Sequence, residues 1–261
     1  MATHLERVQA FADDAFTVGS LGDLDLMVGE AARDFGADYF LMIHHANYAQ
    51  GTPGLVRLGN YPEEFIQISR QNGHPLDDPV MEACEKTLTG FFWDGVGEVI
   101  QLNERHLRRM EAVQETGLGD GYVVPAHIPG EHLGSCHFAV ERGRHLPREN
   151  SAALQSVAVF GFEAARRLSK ERDRIWVERP PLTPRQRECL ILSARGKSDA
   201  VIGQLLELSP RTVNGYMEDA KRRYGVATRG QLVVSALYAS EISFQDIVDV
   251  PTRGALRAAG N

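Results

Sequence analysis

Pro180 and Pro181 divide this chain, because a proline pair cannot continue a helix and stiffens the segment that follows. Glu178–Arg179–Pro180–Pro181 therefore reads as a linker between residues 1–177 and a module at 182–242. In that module helix starts recur in quick succession. Thr183 caps a helix that opens on Pro184, with Gln186 completing a capping box. Leu190, Ile191 and Ala194 share one face, and Gly196 ends the helix where a positive φ suits it. Ser198 caps a short second helix expected to bury Val201, Ile202, Leu205 and Leu206. After the Glu207–Leu208 turn, Ser209 and Pro210 start a third helix, Arg211–Tyr224. Val213, Tyr216 and Ala220 face inward on it, and Arg211, Thr212, Asn214, Gly215, Glu218 and Lys221 face outward. Two short helices at a tight turn, the second presenting polar side chains, fit a DNA major groove. On spacing alone, a helical bundle with an ordinary solvated face fits equally well.

Charge is unevenly spread. The whole chain carries a net −7, yet residues 180–242 hold nine Lys/Arg against six Asp/Glu. Residues 1–179 hold seventeen against twenty-seven, so the acidity lies outside the module, and charge permits DNA binding without proving it. No apolar run approaches the ~18 residues of a membrane span. The amphipathic, acid-containing start MATHLERVQAFADDAF is neither a signal nor a transit peptide. Three widely spaced cysteines, Cys84, Cys136 and Cys189, point to reduced thiols and a cytoplasmic location.

Residues 4–17 and 22–35 read as amphipathic helices, and Ala37–His45 and Leu55–Leu58 as strands. Pro62–Gln71 and Pro79–Thr87 read as short helices with proline in the first turn. Leu102–Thr116 reads as a charged surface helix, Gly121–Pro125 and Leu133–Val140 as strands, and Arg148–Val177 as one long helix. The expected class is α+β: an N-terminal α/β/α sandwich around an antiparallel sheet, with a C-terminal four-helix helix-turn-helix domain. Residues 243–261 are expected to form a mobile tail.

Several apparent motifs fail. Gly196–Lys197–Ser198 has Ile191 where a phosphate loop needs glycine, and Gly117, Gly119 and Gly121 lack dinucleotide-binding spacing. His44, His45 and His137 have no metal-ligand spacing and read as core or surface residues, so no metal site and no catalytic set is expected.

The run LTPRQRECL…ARGKS…IGQLLELSPRTVNGYMEDAKRRYGV resembles the DNA-binding domain of LuxR-type regulators. Gln186 stands where that family usually has Glu, and Tyr216 where His is common. The stretches NYPEEFIQISRQNGHPLDDPVMEACEKTLTGFFWDG and GLGDGYVVPAHIPGEHLGSCHFAV resemble the autoinducer-binding domain of the quorum-sensing branch. The resemblance spans nearly all of residues 5–240. It implies a transcription regulator, not an enzyme. Such a regulator would bind a palindromic double-stranded DNA operator as a homodimer, in answer to an N-acyl homoserine lactone or a related amide.

By position, the resemblance implies that Asp78 accepts the ligand amide N–H, Tyr61 donates to the acyl carbonyl, and Trp93 forms an aromatic wall. Gly121 matches a glycine of the motif, and Ser135 meets the ligand region. Two positions depart from the family. Phe65 replaces a tryptophan that donates to the lactone carbonyl, and Ser69 replaces a tyrosine one turn later. The alternative is thus the same fold answering a non-lactone ligand, or none. From local sequence Asp78 before Pro79 is also a plain helix N-cap, and both roles coexist only if different oxygens serve them. On the DNA side, Asn214 is expected to read a base edge, with an amide suited to adenine, while Arg211, Lys221 and Arg222 hold phosphates.

Overall fold

Successive side chains of a strand point to opposite faces of its sheet, and in β1 (Tyr39–His44) this alternation feeds two separate cores. Phe40 and Met42 enter one, while Tyr39, Leu41 and Ile43 enter the other. The computed structural model describes residues 3–46, 54–65, 78–128, 131–172 and 181–248, and these form two compact units.

The first unit is built on a five-stranded antiparallel sheet of order β2–β1–β5–β4–β3. Here β2 is Arg57–Gly59, β3 Phe91–Phe92, β4 Leu118–Ala126 and β5 Gly134–Glu141. Its described helices are α1 (His4–Thr17), α2 (Leu21–Asp34), α3 (Pro79–Cys84), α4 (Val96–Val99), α5 (Glu104–Gln114) and α6 (Ser151–Arg172). Side-chain caps on Thr3, Ser20, Asp78 and Asn103 start α1, α2, α3 and α5. The helices α1, α2 and α6 cover one sheet face. Phe11, Leu24, Val28, Leu154 and Phe162 pack there against Phe40, Met42 and Phe138. The other face carries a thinner layer, in which Ala83, Cys84, Val96 and Ile100 meet Val123. Beside it, Tyr61 meets Leu41, Leu118 and Ala139.

The expected sandwich is thus observed, with local differences. The two-residue β3 is too short to leave a periodic signal. β4 begins three residues earlier than expected, because a bulge between Leu118 and Gly121 breaks its alternation. Residues 63–65 are helical, and the rest of the expected helix to Gln71 lies outside the described residues. The segment expected as a charged surface helix, α5, instead buries His106 and turns Arg109 inward at 10% side-chain exposure. The cause is a stripe at helical spacing, His106, Met110 and Val113, masked in sequence by the surrounding charges.

The second unit comprises α7 (Pro184–Ala194), α8 (Asp199–Leu206), α9 (Pro210–Tyr224), α10 (Arg229–Tyr238) and α11 (Phe244–Ile247). Leu190, Ile202, Val213, Met217, Ala220, Leu232 and Ala236 form its core. The capping box on α7 is made with glutamine: Gln186 N donates to Thr183 Oγ1 at 3.3 Å, and Thr183 N donates to Gln186 Oε1 at 3.0 Å. Gly196 takes φ +78°, as its place at the helix end requires.

Three expectations need correction here. Val201 and Leu205 are exposed, because α8 presents Ile202 and Gly203 to the core and leaves the 201/205 ridge outside. On α9, Met217 fills the core while Tyr216 is only half-buried. Residues 243–248, expected in a mobile tail, fold onto the unit instead. Ser243 caps α11 through a capping box with Asp246. Arg187 donates from Nε to Glu241 O at 2.8 Å and from Nη2 to Asp246 at 2.9 Å. Residues 249–261 of that expected tail lie outside the described residues.

The turn between α8 and α9 has little freedom. Glu207 adopts the left-handed conformation, φ 58° and ψ 42°, and Leu208 N donates to Gly203 O at 2.8 Å. A Cβ on Gly203 would lie 2.5 Å from Leu208 O, so the chain reverses over a position that only glycine fits.

Candidate functional sites: a cavity beside the sheet and a polar helix face

In the first unit a cavity of about 770 Å³ opens between β4, β5 and the α3–α5 layer. Phe65, Asp78, Trp93, Arg109, Leu118 and His137 are among its walls.

Asp78 divides its two oxygens between tasks. Oδ1 accepts from Val80 N at 3.0 Å and from Met81 N at 3.4 Å, which caps α3. Oδ2 lies 3.4 Å from Arg109 Nη2 on the cavity wall. The carboxylate therefore caps a helix and faces the cavity with different atoms.

Trp93 lies against Gly121, where a Cβ would come within 2.5 Å of the indole Cε2. A bare backbone at 121 is what allows the ring to lie flat against β4. The indole Nε1–H is buried and has no hydrogen-bond partner among the described residues. Tyr61 stands behind the lining, its ring 5.0 Å from that of Phe65, with its Oη also buried and without a hydrogen-bond partner among the described residues. Burial pushes the Tyr61 phenol well above its ordinary pKa, so it remains a hydrogen-bond donor at any physiological pH. Leaving such a donor unmatched costs ~1–3 kcal/mol, and the structure leaves two in one neighbourhood.

Ser135 does not line the cavity. It is fully buried on β5, with its Oγ 2.8 Å from His45 Nε2 and 2.7 Å from His137 Nε2. His137 does reach the cavity. Burial lowers the His45 pKa to about 4, despite the opposing pull of Asp78, and that of His137 to about 3, with His45 adding to the fall. Both rings are neutral near pH 7, so the Ser135 hydroxyl donates to one and accepts from the other. A base this weak, bonded to a serine sealed inside the sheet, makes a poor nucleophile–base pair. Nearby, burial and the Asp78 carboxylate push the Cys84 thiol up to about 12, which keeps it protonated and unreactive.

Of the six ligand positions read from sequence, Phe65, Asp78 and Trp93 line the cavity. Tyr61 and Ser135 form the shell behind it, and Ser69 lies outside the described residues. Sequence reasoning missed Arg109, hidden among the charges of α5, and set His45 and His137 aside as structural. The signal for His137 was its place two residues from Ser135, on the same strand face.

In the second unit, α9 exposes Arg211, Thr212, Asn214, Gly215, Glu218 and Arg222, while Lys221 is half-buried. Asn214 is held: its Oδ1 accepts from Arg229 Nη2 at 3.3 Å, and Arg229 is itself anchored on Asp199 at 2.7 Å. The amide therefore presents its Nδ2–H₂ outward, as a donor. Lys221 has local work, with Nζ 2.8 Å from Glu218 Oε1 and donating to Ala227 O at 3.2 Å. Arg222 pairs with Asp219 on the exposed face. Nothing lies within 4 Å of where a Gly215 Cβ would be, so the helix surface is open there.

Comparison with known proteins matches both units. Residues 22–165 match the family model "Autoinducer binding domain", and residues 180–236 match "Bacterial regulatory proteins, luxR family". The transcriptional activator protein AhyR of Aeromonas hydrophila is 26% identical over 226 residues, covering 85% of this chain and 87% of that protein. The transcriptional activator protein LuxR of Aliivibrio fischeri is 22% identical over 243 residues, covering 88% and 92%. Among solved structures, Escherichia coli SdiA superposes with a TM-score of 0.66 at 20% identity, covering 90% of this chain and 97% of that one. SdiA in complex with octanoyl-rac-glycerol gives 0.67 at 19% identity, covering 92% and 96%.

Proposed function

Because the chain belongs to the LuxR family of autoinducer-binding, DNA-binding transcription regulators, we propose that its cavity encloses an N-acyl homoserine lactone or a related amide. We propose further that it binds a palindromic operator as a homodimer, with α9 in the major groove.

One observation carries the ligand reading: two buried donors without partners among the described residues, Tyr61 Oη and Trp93 Nε1, stand near a carboxylate oxygen that the helix cap does not use. An acylated amine bearing a second carbonyl is the complement of that set. Its acyl C=O accepts a hydrogen bond from Tyr61 Oη, its second C=O accepts one from Trp93 Nε1, and its N–H donates to Asp78 Oδ2. Trp93 thereby supports the head group that Phe65, lacking an N–H, does not. The cavity volume falls within the 300–1,000 Å³ range of small-molecule sites.

The test is mass spectrometry of ligand extracted from the purified full chain, followed by calorimetry with the extracted compound on the parent and Asp78→Asn. Asparagine still caps α3 but offers the amide N–H a weaker acceptor. An amide-free ligand, or equal affinity for both proteins, would end the amide reading. A homodimer is supported by symmetry, since a palindrome presents two equal half-sites to a two-fold pair of recognition helices. Gel filtration with light scattering in the presence of ligand tests it.

A further inference from the structure

A serine sealed in β5 separates two imidazoles, one of which, His137, is in the cavity wall. Ser135 Oγ stands 2.8 Å from His45 Nε2 and 2.7 Å from His137 Nε2. The pairing of β1 with β5 sets this up, since Ile43 lies opposite Ser135 and His45 N donates to Leu133 O at 2.6 Å. Both rings are held neutral by burial. A neutral imidazole has one N–H and one bare nitrogen, and a hydroxyl has one proton to give. The two short bonds therefore call for unlike nitrogens: one Nε2 donates to Oγ, and the other accepts from it. The near-equal distances favour neither direction. The Cys84 thiol also reaches this hydroxyl, but sulfur is a weaker acceptor than an imidazole nitrogen and leaves the Oγ proton to a ring.

The direction of this relay decides what the cavity wall offers. Among the described residues none bonds the second ring nitrogen of His137, Nδ1. When Oγ–H points at His137, that ring carries its own proton on Nδ1 and presents a donor. When Oγ–H points at His45, His137 holds its proton on Nε2 and presents a bare Nδ1, an acceptor. Interconversion leaves every group neutral. Oγ passes its proton to His137 Nε2 and takes the Nε2 proton of His45, while water removes the His137 Nδ1 proton and supplies one to His45 Nδ1. The His137 ring stands 6.3 Å from that of Tyr61, whose hydroxyl is assigned to the acyl carbonyl. Around Tyr61 the side chains are apolar, Leu41, Leu118 and Val113 among them. An oxygen carried on the chain close to that carbonyl therefore has Nδ1 as its nearby polar group.

We infer that His45, Ser135 and His137 form a reversible relay through which His137 Nδ1 donates to a keto oxygen or accepts from a hydroxyl on the acyl chain, so that the protein binds both kinds of oxygenated chain alike. His137 is the contact, and Ser135 and His45 are positioning residues that act through its tautomer. A histidine with a single fixed partner has one tautomer and serves one of the two chains better. This inference rests on the acyl-amide reading of the previous subsection for where the chain begins, and on the relay for what the chain carries.

The experiment titrates the full-length protein by calorimetry with N-octanoyl-, N-(3-oxooctanoyl)- and N-(3-hydroxyoctanoyl)-homoserine lactone. The parent is expected to bind both oxygenated chains about fivefold tighter than the plain one, the yield of one added hydrogen bond. The two should lie within about threefold of each other. His137→Phe is expected to bring all three compounds to similar affinity. His45→Phe leaves His137 as the one imidazole that Oγ–H meets, which locks Nδ1 as a donor. The 3-oxo chain then keeps its advantage, and the 3-hydroxy chain falls about fivefold behind it. If either variant does not fold, nitrogen-15 spectra of histidine-labelled parent decide, with Nδ1 of His137 protonated beside the 3-oxo chain and bare beside the 3-hydroxy chain. The same Nδ1 state with both overturns the inference. So does a parent preference of roughly fivefold or more for one oxygenated chain, no gain from either oxygen, an unchanged ratio in His45→Phe, or binding of none of the three. The compounds share a head group, so its contacts cancel from the ratios. If Asp78→Asn leaves all three affinities intact, the amide contact is wrong, while the ratios still decide the relay.

Discussion

Replacing Tyr61 by Phe should change the stability of the empty protein and the affinity of the filled one in opposite directions. The ring is 6% exposed and packs against Phe65, Leu41 and Leu118, contacts that phenylalanine retains. What is lost is an Oη that has no hydrogen-bond partner among the described residues. A buried hydroxyl without a hydrogen bond costs ~1–3 kcal/mol, so removing it should stabilise the ligand-free protein by about 1 kcal/mol once the small void is subtracted. For a unit of this size that raises Tm by about 2–4 °C. With ligand present, the variant lacks the donor to the acyl carbonyl, a hydrogen bond worth about 1 kcal/mol, or roughly fivefold in Kd. Differential scanning calorimetry of the ligand-free proteins, paired with titration of an octanoyl amide ligand, measures both. If Tyr61→Phe melts lower than the parent without ligand, the hydroxyl has a partner and the argument from unmatched donors collapses.

Asn214→Asp, which removes the outward Nδ2–H₂ donor, should change preference at one operator position, read from a randomised half-site library; a uniform loss at every position would deny it a base-reading role. With the amide oxygen held by Arg229, that position is expected to present an acceptor such as guanine O6/N7 or thymine O4 rather than the paired groups of adenine. Acid should weaken the fold through His45 and His137, whose pKa values lie below the unfolded value of about 6.5. Their stabilisation is complete above pH 6.5 and falls as pH drops toward 4, where the unfolded chain takes up protons that the folded one refuses; His137→Gln should flatten that slope in urea titrations, and an unchanged slope would show the ring is not buried neutral. Arg187→Ala removes its bonds to Glu241 O and Asp246, leaving Arg195 Nε on Asp246 O, and should lower the Tm of the full chain's DNA-binding unit, with Asp246→Ala giving at least as large a drop; no change in either would mean these bonds add nothing to the unit.

Much of the fold was legible because its signals are local. Capping residues at Thr183, Ser198 and Ser209 with prolines at 184 and 210 mark where three helices start, and alternation in Tyr39–His44 marks a strand with two buried faces. What was not legible depends on partners distant in sequence. Arg109 looks like one more charge on α5 until the fold brings Asp78 to it across thirty-one residues. His137 reads as a core histidine until β1 and β5 pair and place His45 at the same serine. The exposed ridge of Val201 and Leu205 was misread for a related reason: an eight-residue helix is too short for its apolar pattern to choose between two faces, and the packing of α9 makes the choice.

The turn at Gly203 has a consequence for how such a protein could acquire a new operator. The side chains proposed to meet base edges sit on α9, but the angle at which α9 leaves α8 is set where Leu208 folds back within 2.5 Å of a missing Cβ. A larger residue at 203 must push that carbonyl outward and tilt the whole helix, moving Arg211 and Asn214 together while altering neither. A survey confined to the groove-facing surface would miss the position, since its side chain is a hydrogen atom in the core. Recognition in this unit therefore has two inheritable parts, the letters carried on the helix and the slant at which they are held, and the second is encoded by a residue that no base can reach.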